Sequence, residues 1–202
     1  MRVMGIDPGT RVVGYGVLDH EGNRFRTVTF GAIRADTKQP RPLRYLQIFE
    51  GLAAVIEEHA PQQIAIERIF SGKNPQSAIQ IGEGRGLALL AAGRADIPVS
   101  EYAATVVKKA VVGTGAGSKG QVQELVRVLL GLDKAPTPRD ASDALAIAIC
   151  HCNRADLGDA LEKAGLDRDK LTRSSGGGSR RRGVKGFPPE VAAEIERKLA
   201  KG

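Results

Sequence analysis

The stretch RVMGIDPGTRVVGYGVLDHEGNRFRTVTFGAIR, residues 2–34, decides the fold. Residues 2–7 (RVMGID) are a short apolar run ending in Asp-Pro-Gly, 12–18 (VVGYGVL) a second run, and 24–34 (RFRTVTFGAIR) an alternating third. Runs rich in β-branched and aromatic residues, bounded by Gly, Pro and Asp, read as strands. Asp19-His20-Glu21-Gly22 supplies a turn between the second and third. The chain therefore opens as an antiparallel meander.

Downstream the pattern changes to alternating helix and strand. Pro42 opens a helix in which Leu43, Leu46, Phe49, Ala53 and Ile56 recur at three and four residues, up to about His59. After Pro61, residues 63–67 (QIAIE) predict a buried fourth strand, Asn74-Pro75 starts a helix to Gly93, and 98–102 (PVSEY) a fifth strand. Helices follow over 103–112, 121–130 and 140–152, with the loop GTGAGSKG (113–120) before the second and APTPRD before the third. This order predicts an α/β domain: a mixed five-stranded sheet flanked by helices. Gly82, Gly84 and Gly86 interrupt one helix. Each costs about 1 kcal/mol against Ala, so the three point to close backbone packing or to another chain approaching.

The 202 residues give room for one domain with a sizeable core and a short appendage. The boundary falls near residue 153. Residues 154–202 hold few large apolar side chains and include Ser174-Ser175-Gly176-Gly177-Gly178-Ser179 followed by Arg180, Arg181 and Arg182. They predict a basic, partly disordered tail, in which Pro188-Pro189-Glu190 can start a short helix bearing Val191, Ile195 and Leu199. The formal net charge is +7, and the tail supplies more than half of it. A basic excess favours nucleic acid or an anionic membrane as partner. No apolar run approaches the roughly 20 residues of a spanning helix, so the membrane is disfavoured. MRVMGIDPGT lacks the apolar core of a signal peptide, and with two cysteines a reduced, cytoplasmic protein is expected. Cys150, His151 and Cys152 lie in an apolar helical run with poor ligand spacing, which favours packing over zinc.

Four acids carry the chemical interest. Asp7 ends the first strand, Glu67 ends the fourth, and Asp140 and Asp143 begin the last core helix. Singly, they read as a turn residue, a solvated rim charge, an N-cap and a first-turn acid. Positions i and i+3 share a helix face, however, so Asp140 and Asp143 can point at one spot that two strand ends also reach. Four carboxylates in one place repel unless cations bind, and hard divalent cations take oxygen ligands. Such a cluster in a basic chain suits metal-assisted phosphodiester chemistry, where charge develops on the entering and leaving oxygens.

The chain resembles the RuvC family of Holliday junction resolvases. The residues that carry the resemblance are Ile6-Asp7-Pro8-Gly9-Thr10 with Gly14-Tyr15-Gly16, Ile66-Glu67-Arg68-Ile69-Phe70 with Lys73-Asn74, and Glu101-Tyr102-Ala103. Further on are Val111-Val112-Gly113-Thr114-Gly115, Lys119-Gly120-Gln121-Val122, and Asp140-Ala141-Ser142-Asp143-Ala144-Leu145-Ala146-Ile147-Ala148. They run in order over about residues 2–153. The resemblance implies an RNase H-like fold and a homodimeric endonuclease, dependent on Mg²⁺ with Mn²⁺ as a substitute, that nicks four-way junction DNA symmetrically in recombination and repair. It also implies Asp7, Glu67, Asp140 and Asp143 as ligands of two ions, with Asp7 bridging and the third position varying between Asp and His in the family. Lys119 is implied as a catalytic cation and Lys108 as a second basic residue near the site. Phe70 would stack on a base, Arg68, Lys73 and Arg85 would contact DNA, and RuvA and RuvB would be partners.

Two other classes compete. A sugar-kinase-like phosphotransferase shares the Asp-x-Gly turn but needs two such domains, for which 202 residues with one DPGT leave no room. A junction-binding module with structural acids would bind four-way DNA without cutting it.

Overall fold

A computed structural model describes residues 1–22, 24–68, 75–113 and 118–163, with backbone alone for 75–77, 119 and 159–163. The elements run β1 (Arg2–Asp7), β2 (Val12–Glu21), β3 (Arg24–Arg34), α1 (Arg41–His59), β4 (Gln63–Arg68), α2 (Pro75–Arg94), β5 (Val99–Ala103), α3 (Ala104–Val112), α4 (Lys119–Leu129) and α5 (Arg139–Lys163). The five strands form one sheet in the order β3-β2-β1-β4-β5. β2 is antiparallel to β1 and β3, whereas β1, β4 and β5 are parallel. This is the expected mixed five-stranded, RNase H-like sheet. The carboxyl ends of its parallel strands all lie along one edge.

Period-2 alternation divides the core between two faces. Met4, Ile6, Val13, Val17, Ile64 and Ile66 pack with Ile48, Leu52 and Ile56 of α1 and Ala88, Ala91 and Ala92 of α2. Val3, Leu18 and Ala65 face the other way, onto Val107 and Val111 of α3, Val122 and Val126 of α4, and the run Leu145–Cys152 of α5. Full burial of one such aliphatic side chain is worth about 1.5 to 3 kcal/mol.

Three boundaries differ from the sequence reading. β2 continues through Asp19, His20 and Glu21, where the sequence predicts a turn, and Gly22 at φ 54° opens the reversal instead. Cross-strand contacts outweigh local turn propensity here: His20 stacks on Phe25 at 5.0 Å, and Asp19 accepts from both Arg2 and Arg26. α4 begins at Lys119 because Ser118 and Gln121 form a capping box: Ser118 Oγ accepts from the Gln121 amide and Gln121 Oε1 from the Ser118 amide. α5 runs on to Lys163, well past the expected end at 152. Ala155, Leu157, Ala160, Leu161 and Glu162 favour helix locally although the composition there is no longer core-like.

The chain divides into two units, Met1–Arg154 and Ala155–Gly202. The expected helix near Pro188 lies outside the described residues. Among the described residues, no helix is long and apolar enough to cross a membrane.

Candidate active site

Alternation aims Asp7 and Glu67 at the same side of the sheet. Val3 and Gly5 of β1 and Ala65 of β4 face α5, so Asp7 and Glu67, each an even number of residues further on, face it too. Ile6 pairs with Ile66, which leaves Asp7 and Glu67 on neighbouring strands roughly 4.8 Å apart. Both acids are half-buried.

Glycines on that face bring α5 down onto the strands. A Cβ placed on Gly5 would lie 2.0 Å from the Ala144 carbonyl oxygen, and one on Gly14 would lie 2.0 Å from the Asp140 carbonyl oxygen and 3.0 Å from Asp140 Cβ. On Gly16 it would meet Leu145 Cδ2 at 2.6 Å. Gly14 is also the register partner of Asp7. Asp140 therefore sits against the residue that faces Asp7 across the ladder. Asp143, one helical turn on and also half-buried, follows on the same side. Asp140 lies within the first turn of α5, which starts at Arg139, so the N-cap alternative for it is corrected.

The four acids offer only hard oxygen donors, which suits Mg²⁺ or Mn²⁺ and not a thiophilic metal. Among the described residues, no three His, Cys, Asp or Glu side chains already converge tightly enough to hold an ion. The backbone brings the ends of β1 and β4 and the first turn of α5 to one edge. Like charge opposes close approach of carboxylates, and a shared cation would reverse the balance.

The remaining sequence candidates fare differently. Phe70, Lys73 and the Lys119 side chain lie outside what is described. Lys119 is the first residue of α4. Arg68 ends β4 exposed and Lys108 is half-buried on α3. Arg85 makes a bidentate ion pair with Glu101, Nη2 to Oε1 at 2.5 Å and Nε to Oε2 at 3.1 Å. That pair raises the Arg85 pKa, chiefly through the side-chain hydrogen bond. The glycines of α2 also separate: a Cβ on Gly84 would meet the Gly9 carbonyl carbon and oxygen at 2.7 Å, whereas Gly82 and Gly86 meet nothing within 4 Å.

His151 is part of the packing rather than of a metal set. Its Nδ1 is 2.8 Å from the Tyr102 hydroxyl and its Nε2 is 2.5 Å from Gln63 Oε1, while Cys150 and Cys152 are buried in the apolar cluster. Burial pushes the Cys150 thiol up to about 11, so it stays protonated. β5 thereby holds a helix on each face, α2 through Glu101 and α5 through Tyr102.

Sequence reasoning passed over the structural roles of Gly5, Gly14 and Gly16. Glycine inside a strand signals another backbone at close range. Gly14 and Gly16 carried that signal two residues apart.

Fold and site together define the class: an RNase H-like protein with a carboxylate-lined edge suited to hard cations. The family model for crossover junction endodeoxyribonuclease RuvC matches residues 3–151. A crossover junction endodeoxyribonuclease RuvC of Chloroflexus aggregans is 50% identical over 155 residues, covering 77% of this chain and 94% of the relative. The structure of Thermus thermophilus RuvC in complex with Holliday junction substrate matches with a TM-score of 0.74 at 34% identity, over 78% of this chain and 96% of that one. The yeast mitochondrial Holliday junction resolvase Ydc2 shares the fold, with a TM-score of 0.56 at 14% identity over 78% and 80% of the two chains. The chain belongs to the RuvC family of crossover junction endodeoxyribonucleases.

Proposed function

We propose that this protein resolves four-way DNA junctions in recombination and repair, cutting two strands of like polarity by paired, symmetric nicks. One observation supports the reading: in a chain of a junction-endonuclease family, the ends of β1 and β4, which carry Asp7 and Glu67, lie at the edge against which the first turn of α5, with Asp140, is packed. Those acids and Asp143 would hold two Mg²⁺ ions, or Mn²⁺ as substitute. When bound, the cations supply charge stabilisation at the entering and leaving oxygens of the scissile phosphate.

The chain's own residues do the positioning. Asp7 has Glu67 on one neighbouring strand and Gly14, with Asp140 above it, on the other. That central place suits a ligand shared between ions. Lys119, the first residue of α4, would hold a phosphate with its ammonium, assisted by the positive end of the helix. Phe70 would stack on a base beside the junction crossover, worth about 1 to 3 kcal/mol. Arg68, Lys73 and Lys108 would touch phosphates and set position without reading sequence. Arg85 is committed to Glu101, so its DNA contact is secondary.

Paired nicks need two sites related by a twofold axis, hence a homodimer. Leu43 and Leu46 of α1 and Ile79 and Leu90 of α2 are 47%, 48%, 62% and 58% exposed, an apolar surface suited to that contact. Residues 1–153 would suffice for cutting, and 154–202 would add nonspecific affinity for DNA. RuvA and RuvB would be its partners in the cytoplasm.

The test is cleavage of a synthetic four-way junction with Mg²⁺ by wild type and by Asp7→Asn. Wild type should give two symmetric nicks, and Asp7→Asn should bind the junction but cut about 10³-fold more slowly. Absence of paired nicks in wild type, or equal cutting by Asp7→Asn, refutes the reading.

A further inference from the structure

Three consecutive residues of α2 act as a bracket on the loop that follows Asp7. Gly84 lies against Gly9, and its own lack of a Cβ permits the contact, since a Cβ there would sit 2.7 Å from two Gly9 backbone atoms and 3.0 Å from Gly9 Cα. Gly9 is confined from a second direction: a Cβ on it would lie 2.2 Å from the Val12 carbonyl oxygen. Neither contact can relax by rotating a side chain, because both involve main chain. The flanking residues fix the turn of α2 that carries Gly84. Glu83 accepts a short hydrogen bond from the Tyr45 hydroxyl and a second, at 3.2 Å, from Arg41 Nη1, both on α1. Arg85 grips Glu101 of β5 with both a terminal and the ε nitrogen.

These anchors pull on opposite sides of one helical turn. Glu83 ties it to α1, Arg85 ties it to the strand next to Glu67's, and Gly84 between them abuts the loop. Glu101 pairs with Ile66 in the β4–β5 ladder, so the Arg85 anchor is referenced to the strand that bears Glu67. Gly9 is two residues beyond Asp7, with Pro8 restricting the backbone between them. The position of the Gly9 carbonyl is thus coupled to that of the Asp7 carboxylate.

We propose that Gly84, held by the Glu83–Tyr45 and Arg85–Glu101 contacts, is a positioning residue that sets the Asp7 carboxylate for cation binding. Gly84 touches no reacting atom and works through Gly9. The role rests on the reading of Asp7 as a metal ligand given under the proposed function, and it concerns binding of the ion before any cutting. It also explains the division among the α2 glycines, because Gly82 and Gly86 have open space where Gly84 has none.

The test measures Mn²⁺ binding by the electron paramagnetic resonance of free Mn²⁺, on full-length wild type, Gly84→Ala, Tyr45→Phe, Gly93→Ala and Asp7→Asn. Gly93, in the same helix, also has nothing within 4 Å of a built Cβ and serves as the control for adding a methyl group. Residues that orient metal ligands typically change affinity by about 10- to 100-fold. Gly84→Ala is expected to weaken Mn²⁺ at least about tenfold, Tyr45→Phe in the same direction by a smaller factor, and Gly93→Ala not at all. Junction binding without metal should stay within about twofold of wild type in the Gly84→Ala protein, which separates positioning from general damage. Should Gly84→Ala fail to fold by circular dichroism, Tyr45→Phe decides, since it removes only a hydroxyl. Wild-type Mn²⁺ affinity in both Gly84→Ala and Tyr45→Phe overturns the proposal, as does Mn²⁺ binding indifferent to Asp7→Asn. Wild type that binds Mn²⁺ through Asp7 yet never nicks a junction would sink the resolvase reading alone.

Discussion

Replacing Gly14 by Ala inserts a methyl group between the strand that faces Asp7 and the first turn of α5. The new Cβ would start 2.0 Å from the Asp140 carbonyl oxygen. Carbon and carbonyl oxygen do not approach closer than about 3.3 Å in packed structures, so the gap must open by roughly 1.3 Å. The obstacle is backbone on both sides, and no rotamer relieves it. The first turn of α5 must therefore lift, taking Asp140 and Asp143 away from Asp7 and Glu67. A misplacement of about 1 Å in a catalytic arrangement costs on the order of 10²-fold in rate, whereas overpacking a tight interface costs about 1 to 3 kcal/mol in stability. With a urea dependence of about 1 to 3 kcal/mol per molar, that loss shifts the unfolding midpoint by roughly 1 M. The assay is single-turnover cleavage of a four-way junction with Mg²⁺, under conditions where circular dichroism shows both proteins folded, together with a urea titration. Gly16→Ala is the comparison, because its new methyl would meet chiefly the Leu145 side chain, at 2.6 Å from Cδ2 and 2.7 Å from Cγ with the Leu145 Cα further off at 3.2 Å, rather than the backbone that carries Asp140. It should lose stability with a much smaller loss of rate. Cutting by Gly14→Ala at the wild-type rate would refute the claim that this contact fixes the acids.

Other expectations follow from single contacts. Ser118→Ala removes half of the α4 capping box and should cost about 1 kcal/mol, read as a lower urea midpoint; an unchanged midpoint would deny the cap a role. Burial, and secondarily the neighbouring His20, hold the His151 pKa below its ordinary value of 6.5. The unfolded chain then binds the extra proton first, so this contribution is full above about pH 6.5 and is lost as pH falls toward the folded value. The drop in melting temperature between pH 7.5 and 5.5 should shrink in His151→Gln, and an equal drop would exclude His151 as its source. Truncation after Lys163 removes most of the basic tail and keeps the described length of α5 whole. The shortened protein should still cut with Mg²⁺ while binding junctions more weakly and with a shallower salt dependence, since basic residues are lost. A folded, truncated protein with no cleavage would show that the tail belongs to the catalytic unit.

Most of the fold was legible because its signals are local. The alternation in 24–34, the apolar stripe after Pro42 and the strand-like run 63–67 each fit one periodicity, and the sheet contains all five strands in the expected places. The end of β2 differs for a tertiary reason. Asp19 and His20 have turn-like identities, but Arg2, Arg26 and Phe25 lie across the sheet and hold them in strand. Arg85 looked like a free cation for DNA because nothing local announces Glu101, 16 residues away. The capping box at Ser118 and Gln121 is legible in the sequence as Ser-x-x-Gln.

For the site, the sequence by itself determined the candidate donor set: two carboxylates that end strands and two more that lie one helical turn apart. Residue identity and periodicity carry that information, since side-chain direction in a strand or helix follows from position alone. Tertiary structure decided which sheet face the acids share and how closely α5 approaches it. It also decided which of three similar glycines in α2 presses on the loop after Asp7. Those outcomes depend on contacts between segments remote in sequence, where main chain meets main chain at glycines and no single stretch records its partner.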